Sequence, residues 1–210
     1  MEVITMDGKW NLDTIKEFDY YKFFENLNIK WHEKFEAQAS DHKNFEEIFF
    51  NSHFFNFSLW HEEDEARRVD VSDSHIAQNK RNIDGFNQKR NDSIEKLDTY
   101  ILSLLKNHPL YKEGLSINSE TPGSIIDRLS IISLKIYHMQ EQTQRDDVSE
   151  EHLLACKNKT NTLVEQKNDL LKCLSELIEE YVTGKKSMKV YFQFKMYNDP
   201  KLNPALYGKK

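Results

Sequence analysis

The residues best suited to chemistry form a row of oxygen and amide donors between Asp84 and Asp98. At about 100° per residue, Asp84, Asn87, Asn91, Glu95 and Asp98 fall on one flank of a helix spanning 73–107, with Lys80 at its end. Asn87, Asn91 and Glu95 are spaced i, i+4, i+8, so three donors point the same way. Such a ladder can hold a hard divalent cation such as Mg²⁺, with Asn91, Glu95 and Asp98 as ligands, or hydrogen-bond sugar hydroxyls. Asn and Asp are mediocre helix formers, so local propensity does not account for the row. Arg90 falls inside the apolar stripe of Ile83, Phe86, Ile94, Leu97, Ile101 and Leu104, where a guanidinium needs a carboxylate or an anionic ligand. Gly85 in mid-helix implies that another group approaches its backbone. A polar network between helices, with no ligand, would produce the same pattern.

Two further helices carry candidates. In 43–68, His53, Asn56, Trp60, Asp64 and Arg67 project to one face, with His61 a quarter-turn away. A His and a carboxylate at helical spacing can bind a metal or form an acid–base pair. The bland alternative is a core His53 and a solvated Glu-Glu-Asp-Glu run. A strict HExxH zinc motif is absent because position 65 is Glu. In 123–145, which is apolar nearly all round, Asp127 and His138 share one side and Arg128 and Lys135 another. Arg128 or Lys135 can neutralise a phosphate, and the free N–H groups at this helix's start can receive an anion. An Asp127–Arg90 pair is the structural alternative. Neither GxxxxGK[ST] nor GxGxxG occurs. The resulting expectation makes His61, Asp64 and Glu95 catalytic, with Asp84, Asn87, Arg90, Asn91, Arg128 and Lys135 binding substrate.

Positioning such residues requires long helices. The four prolines are Pro109, Pro122, Pro200 and Pro204, so the first 108 residues can form uninterrupted helices. Apolar periodicity predicts helices near 12–27, 29–39, 43–68, 73–107, 123–145 and 148–183. Asp73 is the expected cap of the fourth, Ser149 or Asp147 that of the last, and Gly184 its end. The expected fold is all-α: a bundle of about six helices over 1–187, with a tail at 188–210 docking on it as an extended segment or short strand. The tail mixes aromatics with lysines, which fits either clamping of the bundle or stacking on a base or sugar. In the last helix, apolar residues at 156, 163, 170, 174, 177 and 181 form a heptad-like seam. Packing within the chain is the default for that seam, and a homo-oligomer is the alternative.

Composition narrows the function classes. With 29 basic and 35 acidic residues the net charge is −6, so no global field draws the chain onto nucleic acid or an anionic membrane. Cys156 and Cys173, 17 residues apart on one helix, would lie roughly 25 Å apart, too far to bridge. Two free thiols fit a reducing cytoplasm. No signal peptide is visible at Met1–Trp10, and no run of 18 apolar residues exists.

Four long blocks resemble a known family. They are His61-Glu-Glu-Asp-Glu-Ala-Arg, Lys80-Arg-Asn-Ile-Asp-Gly-Phe-Asn-Gln-Lys-Arg-Asn-Asp, Glu120-Thr-Pro-Gly-Ser-Ile-Ile-Asp-Arg-Leu-Ser-Ile and Gln193-Phe-Lys-Met-Tyr-Asn-Asp-Pro-Lys-Leu-Asn-Pro-Ala-Leu. On these the chain resembles the bacterial family of domain of unknown function 4254 over nearly its whole length. The resemblance implies a setting beside glycosyltransferases of lipopolysaccharide and related surface glycans, and carries over no catalytic residue. Together with the polar rows it leads to the expectation of an enzyme, or a ligand-binding partner of one, acting on a sugar phosphate or nucleotide sugar. The rival is a non-enzymatic helical adaptor that scaffolds a glycosyltransferase.

Overall fold

The computed structural model of the chain describes residues 10–41 and 44–208. Among them are seven α-helices: α1 (Leu12–Glu17), α2 (Tyr20–Glu33), α3 (Phe45–Glu65), α4 (Asp73–Lys106), α5 (Pro122–Thr143), α6 (Glu150–Val182) and the single turn α7 (Pro204–Tyr207). A 3₁₀ turn covers Met196–Asn198. No strand occurs among the described residues, so the fold is the expected all-α bundle, and residues 186–195, where a short strand was an alternative, form no regular element. The expected helix start at 43 and the segment 1–9 lie outside the described residues.

The long helices begin where short polar side chains cap them. Asn44, Ser72, Thr121 and Ser149 each accept a hydrogen bond from the backbone N–H three residues on. The cap of α4 is Ser72, one residue before the expected Asp73. Just past the end of α6 the chain turns at Gly184, whose φ of +67° suits a residue without a side chain, and Lys185 N–H closes onto Glu180 O at 2.8 Å.

The first two helices differ from the expected 12–27 and 29–39. Phe18 leaves helical geometry with ψ 134° and packs its ring against Trp10, Tyr20, Phe23 and Phe49. Asp19 then caps α2. The expected break near Asn28 does not occur, because Asn28 is buried and donates to Ser133 Oγ at 3.0 Å. The chain turns extended at Lys34 instead, so 34–39 is not helical.

α3 and α4 form an antiparallel hairpin, as Phe45 meets Tyr100, Phe55 meets Phe86 and Glu62 meets Asn79 and Asn82. α5 is the central helix, packed on α2, α3, α4 and α6. Its Ile125, Ile126, Leu129, Ile132 and Ile136 join Leu97, Ile101 and Leu105 of α4 and Leu174, Leu177 and Ile178 of α6 in one core. A smaller cluster of Trp31, Phe57 and Leu134 closes the other end. Buried aliphatic and aromatic side chains each contribute about 1.5–3 kcal/mol, which fixes these faces inward.

The glycine reading changes in both directions. A Cβ at Gly85 would meet nothing within 4 Å, so the expected close approach is absent there. Gly85→Ala is therefore expected to stabilise the protein by about 1 kcal/mol, by removing an entropic cost at mid-helix. A raised denaturation midpoint in urea checks this; a lowered one contradicts it. The close approach lies at Gly123, where a Cβ would stand 2.6 Å from Asp98 Oδ1 and 2.8 Å from Ile94 O.

The extended tail is tied down through its backbone. Met188 N–H donates to Tyr111 Oη at 3.1 Å, Ser187 N–H to Ser116 O at 3.1 Å, and Gln193 N–H to Glu95 Oε1 at 2.6 Å. Tyr191, Phe192 and Phe194 remain exposed. No helix is long and apolar enough to cross a membrane among the described residues.

Candidate functional site

α3 is unusual in burying polar groups along with its aromatics. Asn51, Ser52, His53, Asn56 and Ser58 are all buried on it. Facing them on α5 are buried Asp127, Ser130 and Ser133. Polar groups withdrawn from water must find partners, and Ser52, His53 and Asn56 find theirs in Asp127 and Ser130. Asp127 accepts from Arg90 Nε at 2.9 Å and Nη2 at 2.5 Å, from Asn56 Nδ2 at 2.9 Å and from Ser52 Oγ at 3.3 Å. Asn56 also donates to Ser130 Oγ at 2.9 Å, and Ser130 meets His53 Nδ1 at 2.8 Å. The fork-on-carboxylate geometry is the strong form of an ion pair. It holds the Arg90 guanidinium above its ordinary pKa, by the hydrogen bond to Asp127 acting against burial. Burial pushes the His53 ring down to about 3, so it stays neutral between Phe24 and Trp31, stacked at 4.7 and 5.1 Å.

Above this network lies a pocket of about 380 Å³ between α3, α4 and α5. α3 supplies Asn56, Leu59, Trp60, Glu63 and Asp64 from successive turns of one face, and Arg67 follows just beyond its end; α4 supplies Asn87 and Arg90; Ile131 and Leu134 of α5 form the apolar wall. Arg90 spends Nε and Nη2 on Asp127, leaving Nη1 as the edge available to a ligand. The side chains of Asp64 and Asn87 make no hydrogen bond within the described residues, whereas Arg67 Nη1 is paired with Glu63 at 2.6 Å on the rim. The pocket thus combines an indole face, a carboxylate, an amide and a pre-oriented guanidinium.

The expected site residues do not converge on one place. Asp64, Asn87 and Arg90 share this pocket. Asp84 is exposed and paired with Lys80. Glu95 receives the tail, and Asp98 is buried under α5, accepting from Thr121 Oγ1 at 2.6 Å and Gly123 N–H at 2.7 Å. Asp98 therefore occupies the N-terminus of α5, where the sequence suggested room for an external anion. Asn91 stays half-buried on α4. Arg128 is exposed and donates to both oxygens of Glu120, at 2.6 and 2.9 Å. Lys135 lines a different pocket with His138, of about 550 Å³. His61 lines a third, of about 660 Å³, with His32.

Asn56, Trp60 and Arg67 share one face of the helix expected over 43–68, but nothing local marks them as pocket residues. Glu63 carries no such signal, because a charge run reads as a solvated face. His32 was invisible, since its significance depends on two other helices.

No curated protein and no solved structure matches the chain. A family model described as "protein of unknown function" matches residues 46–190, which covers α3 through α6 and every residue of the pocket. The chain belongs to this family, DUF4254.

Proposed function

We propose that the α3–α4–α5 pocket binds a phosphorylated or nucleotide-linked sugar, and that the protein is an enzyme, or a ligand-binding partner of one, in cell-envelope glycan assembly of the lipopolysaccharide type. The observation that carries this reading is the joint presence of Trp60, Asp64, Asn87 and the free edge of Arg90 in one pocket of ligand size. A sugar ring offers C–H faces to an indole and hydroxyls to a carboxylate and an amide. A phosphate suits a guanidinium whose orientation is already set. Asp64 and Glu63 are the carboxylates at hand for proton transfer. The glycan setting rests on the family resemblance.

The test is a thermal-shift and Trp-fluorescence screen of hexose phosphates and nucleoside-diphosphate sugars on the full chain. A ligand present at 100 times its Kd stabilises the folded state by about 2.7 kcal/mol. For a chain of this length that raises Tm on the order of 5–10 °C. Asp64→Asn and Asn87→Ala are expected to remove the shift while leaving the unliganded Tm within about 2 °C. A panel in which no ligand moves Tm defeats the proposal.

A second reading, an adaptor that scaffolds a glycosyltransferase, is favoured by the exposed Tyr191, Phe192 and Phe194 of the tail. Co-purification of a glycosyltransferase that survives Asp64→Asn but is lost on deleting 188–210 would support it over the first.

A further inference from the structure

Three histidines from three helices meet behind Trp60: His32 near the end of α2, His61 near the end of α3 and His138 near the end of α5. One ring nitrogen of each lies within 4.8 Å of the other two. Their rings are packed edge to face, with centroids 5.2, 4.9 and 5.9 Å apart.

The hydrogen bonds around the cluster decide which nitrogens are bare. His32 Nδ1 lies 2.7 Å from Asn28 O. A carbonyl only accepts, so Nδ1 carries the proton and Nε2 presents a lone pair. His138 Nδ1 lies 2.7 Å from Glu141 Oε2, which leaves its Nε2 in the same state. Both Nε2 atoms are buried and have no hydrogen-bond partner among the described residues. Leaving a buried acceptor unmatched is costly, and two of them within one cluster of three histidines are not what packing alone selects. The His61 ring makes no hydrogen bond within the described residues, so either of its nitrogens is available.

The surroundings hold the rings rather than filling the gap. Tyr137 stacks on His32 at 4.1 Å, Trp60 on His138 at 4.7 Å, and the Phe57 ring meets His61 edge-on at 4.5 Å. Burial lowers the pKa of both His32 and His61, which favours the neutral form that metals bind. A backbone carbonyl and a carboxylate behind the liganding rings are the supports that metal-bound histidines use.

We propose that His32, His61 and His138 form a three-histidine site for a zinc-class transition metal. All three donors are imidazoles, which suit zinc and its neighbours and disfavour Mg²⁺ or Ca²⁺. Tetrahedral zinc at about 2.0–2.1 Å from each nitrogen would hold the donors about 3.4 Å apart. Ring shifts on the order of 1 Å, mostly by His61, whose ring has no hydrogen bond to break, reach that geometry. Three protein ligands leave a fourth position, and His32 and His61 open it toward the pocket of about 660 Å³ that they line. An open fourth position is the pattern of catalytic rather than structural zinc sites.

Zn²⁺ is titrated calorimetrically into metal-free full-length protein, with Co²⁺ as a spectroscopic stand-in. The expected result is one ion per chain and a tetrahedral Co²⁺ spectrum. His61→Ala is expected to weaken binding by about 100-fold or more, and Glu141→Gln, which leaves all three donors in place on an intact core, by about 10- to 100-fold. His152→Ala on α6, outside the cluster, is expected to bind as the wild type does. No stoichiometric binding by the wild type overturns the assignment. Undiminished binding by both His61→Ala and Glu141→Gln overturns it as well, as does loss only in His152→Ala.

Discussion

Asp127→Ala is expected to destabilise the protein by about 3–5 kcal/mol, because it leaves the partly buried Arg90 guanidinium without its counter-charge. The carboxylate is 3% exposed and takes both arms of the Arg90 fork. Its removal also strips Asn56 and Ser52 of an acceptor, each a further loss of a buried hydrogen bond. For 210 residues this lowers Tm on the order of 10 °C, readable by calorimetry or as a shifted urea midpoint. Replacing both partners, Arg90→Met with Asp127→Leu, is expected to recover most of the loss, since an apolar pair of similar volume avoids burying charge. The double variant would still lack the Arg90 edge, so it should regain stability without regaining any phosphate-dependent shift. A cost below about 1 kcal/mol for Asp127→Ala would show that the pair is not the anchor of the pocket.

The second large effect is a pH dependence centred on Asp98. Burial pushes its pKa up from 3.8 to about 6, against the opposing bonds from Thr121 and Gly123. A folded-state pKa above the unfolded one means that the native chain holds the proton more tightly. The stabilisation is therefore complete below about pH 4 and is lost as pH rises through about 6. The difference corresponds to about 3 kcal/mol. Measured against Asp98→Asn, which cannot titrate, the wild type should lose about that much stability between pH 4 and 7. A difference that stays flat over this range would contradict the account. The position matters for the site, since Asp98 joins α4 to the first turn of α5 and Gly123 leaves no room between them. Loosening that joint moves the helix carrying Asp127 against the helix carrying Arg90.

Much of the scaffold follows from local chemistry. An absence of proline before Pro109, apolar stripes at helical period, and a capping side chain such as Ser149 at an expected start suffice to define α3 to α6 within a few residues. Arg90 in an apolar stripe demanded a carboxylate, and the pair with Asp127 could be written down as an alternative because burial of an unmatched charge is so costly. Asn28, by contrast, reads as a helix breaker until Ser133 is seen to accept its amide. Gly85 reads as a close approach until its surroundings prove empty.

Periodicity tells which flank of a helix faces inward, but not what stands opposite. The flank from Asp84 to Asp98 is one stripe along α4, yet its members meet four environments: solvent and Lys80 at Asp84, α3 at Asn87, the tail at Glu95 and the first turn of α5 at Asp98. A helix 34 residues long extends roughly 50 Å and passes several neighbours, so donors aligned on its surface need not converge. Convergence came from packing instead. The hairpin of α3 and α4 laid Trp60 and Asp64 over Asn87 and Arg90, and α2, α3 and α5 brought His32, His61 and His138 together from distant parts of the chain. Residue types set what chemistry each side chain can do; only the order in which the helices pack decided which of them do it together.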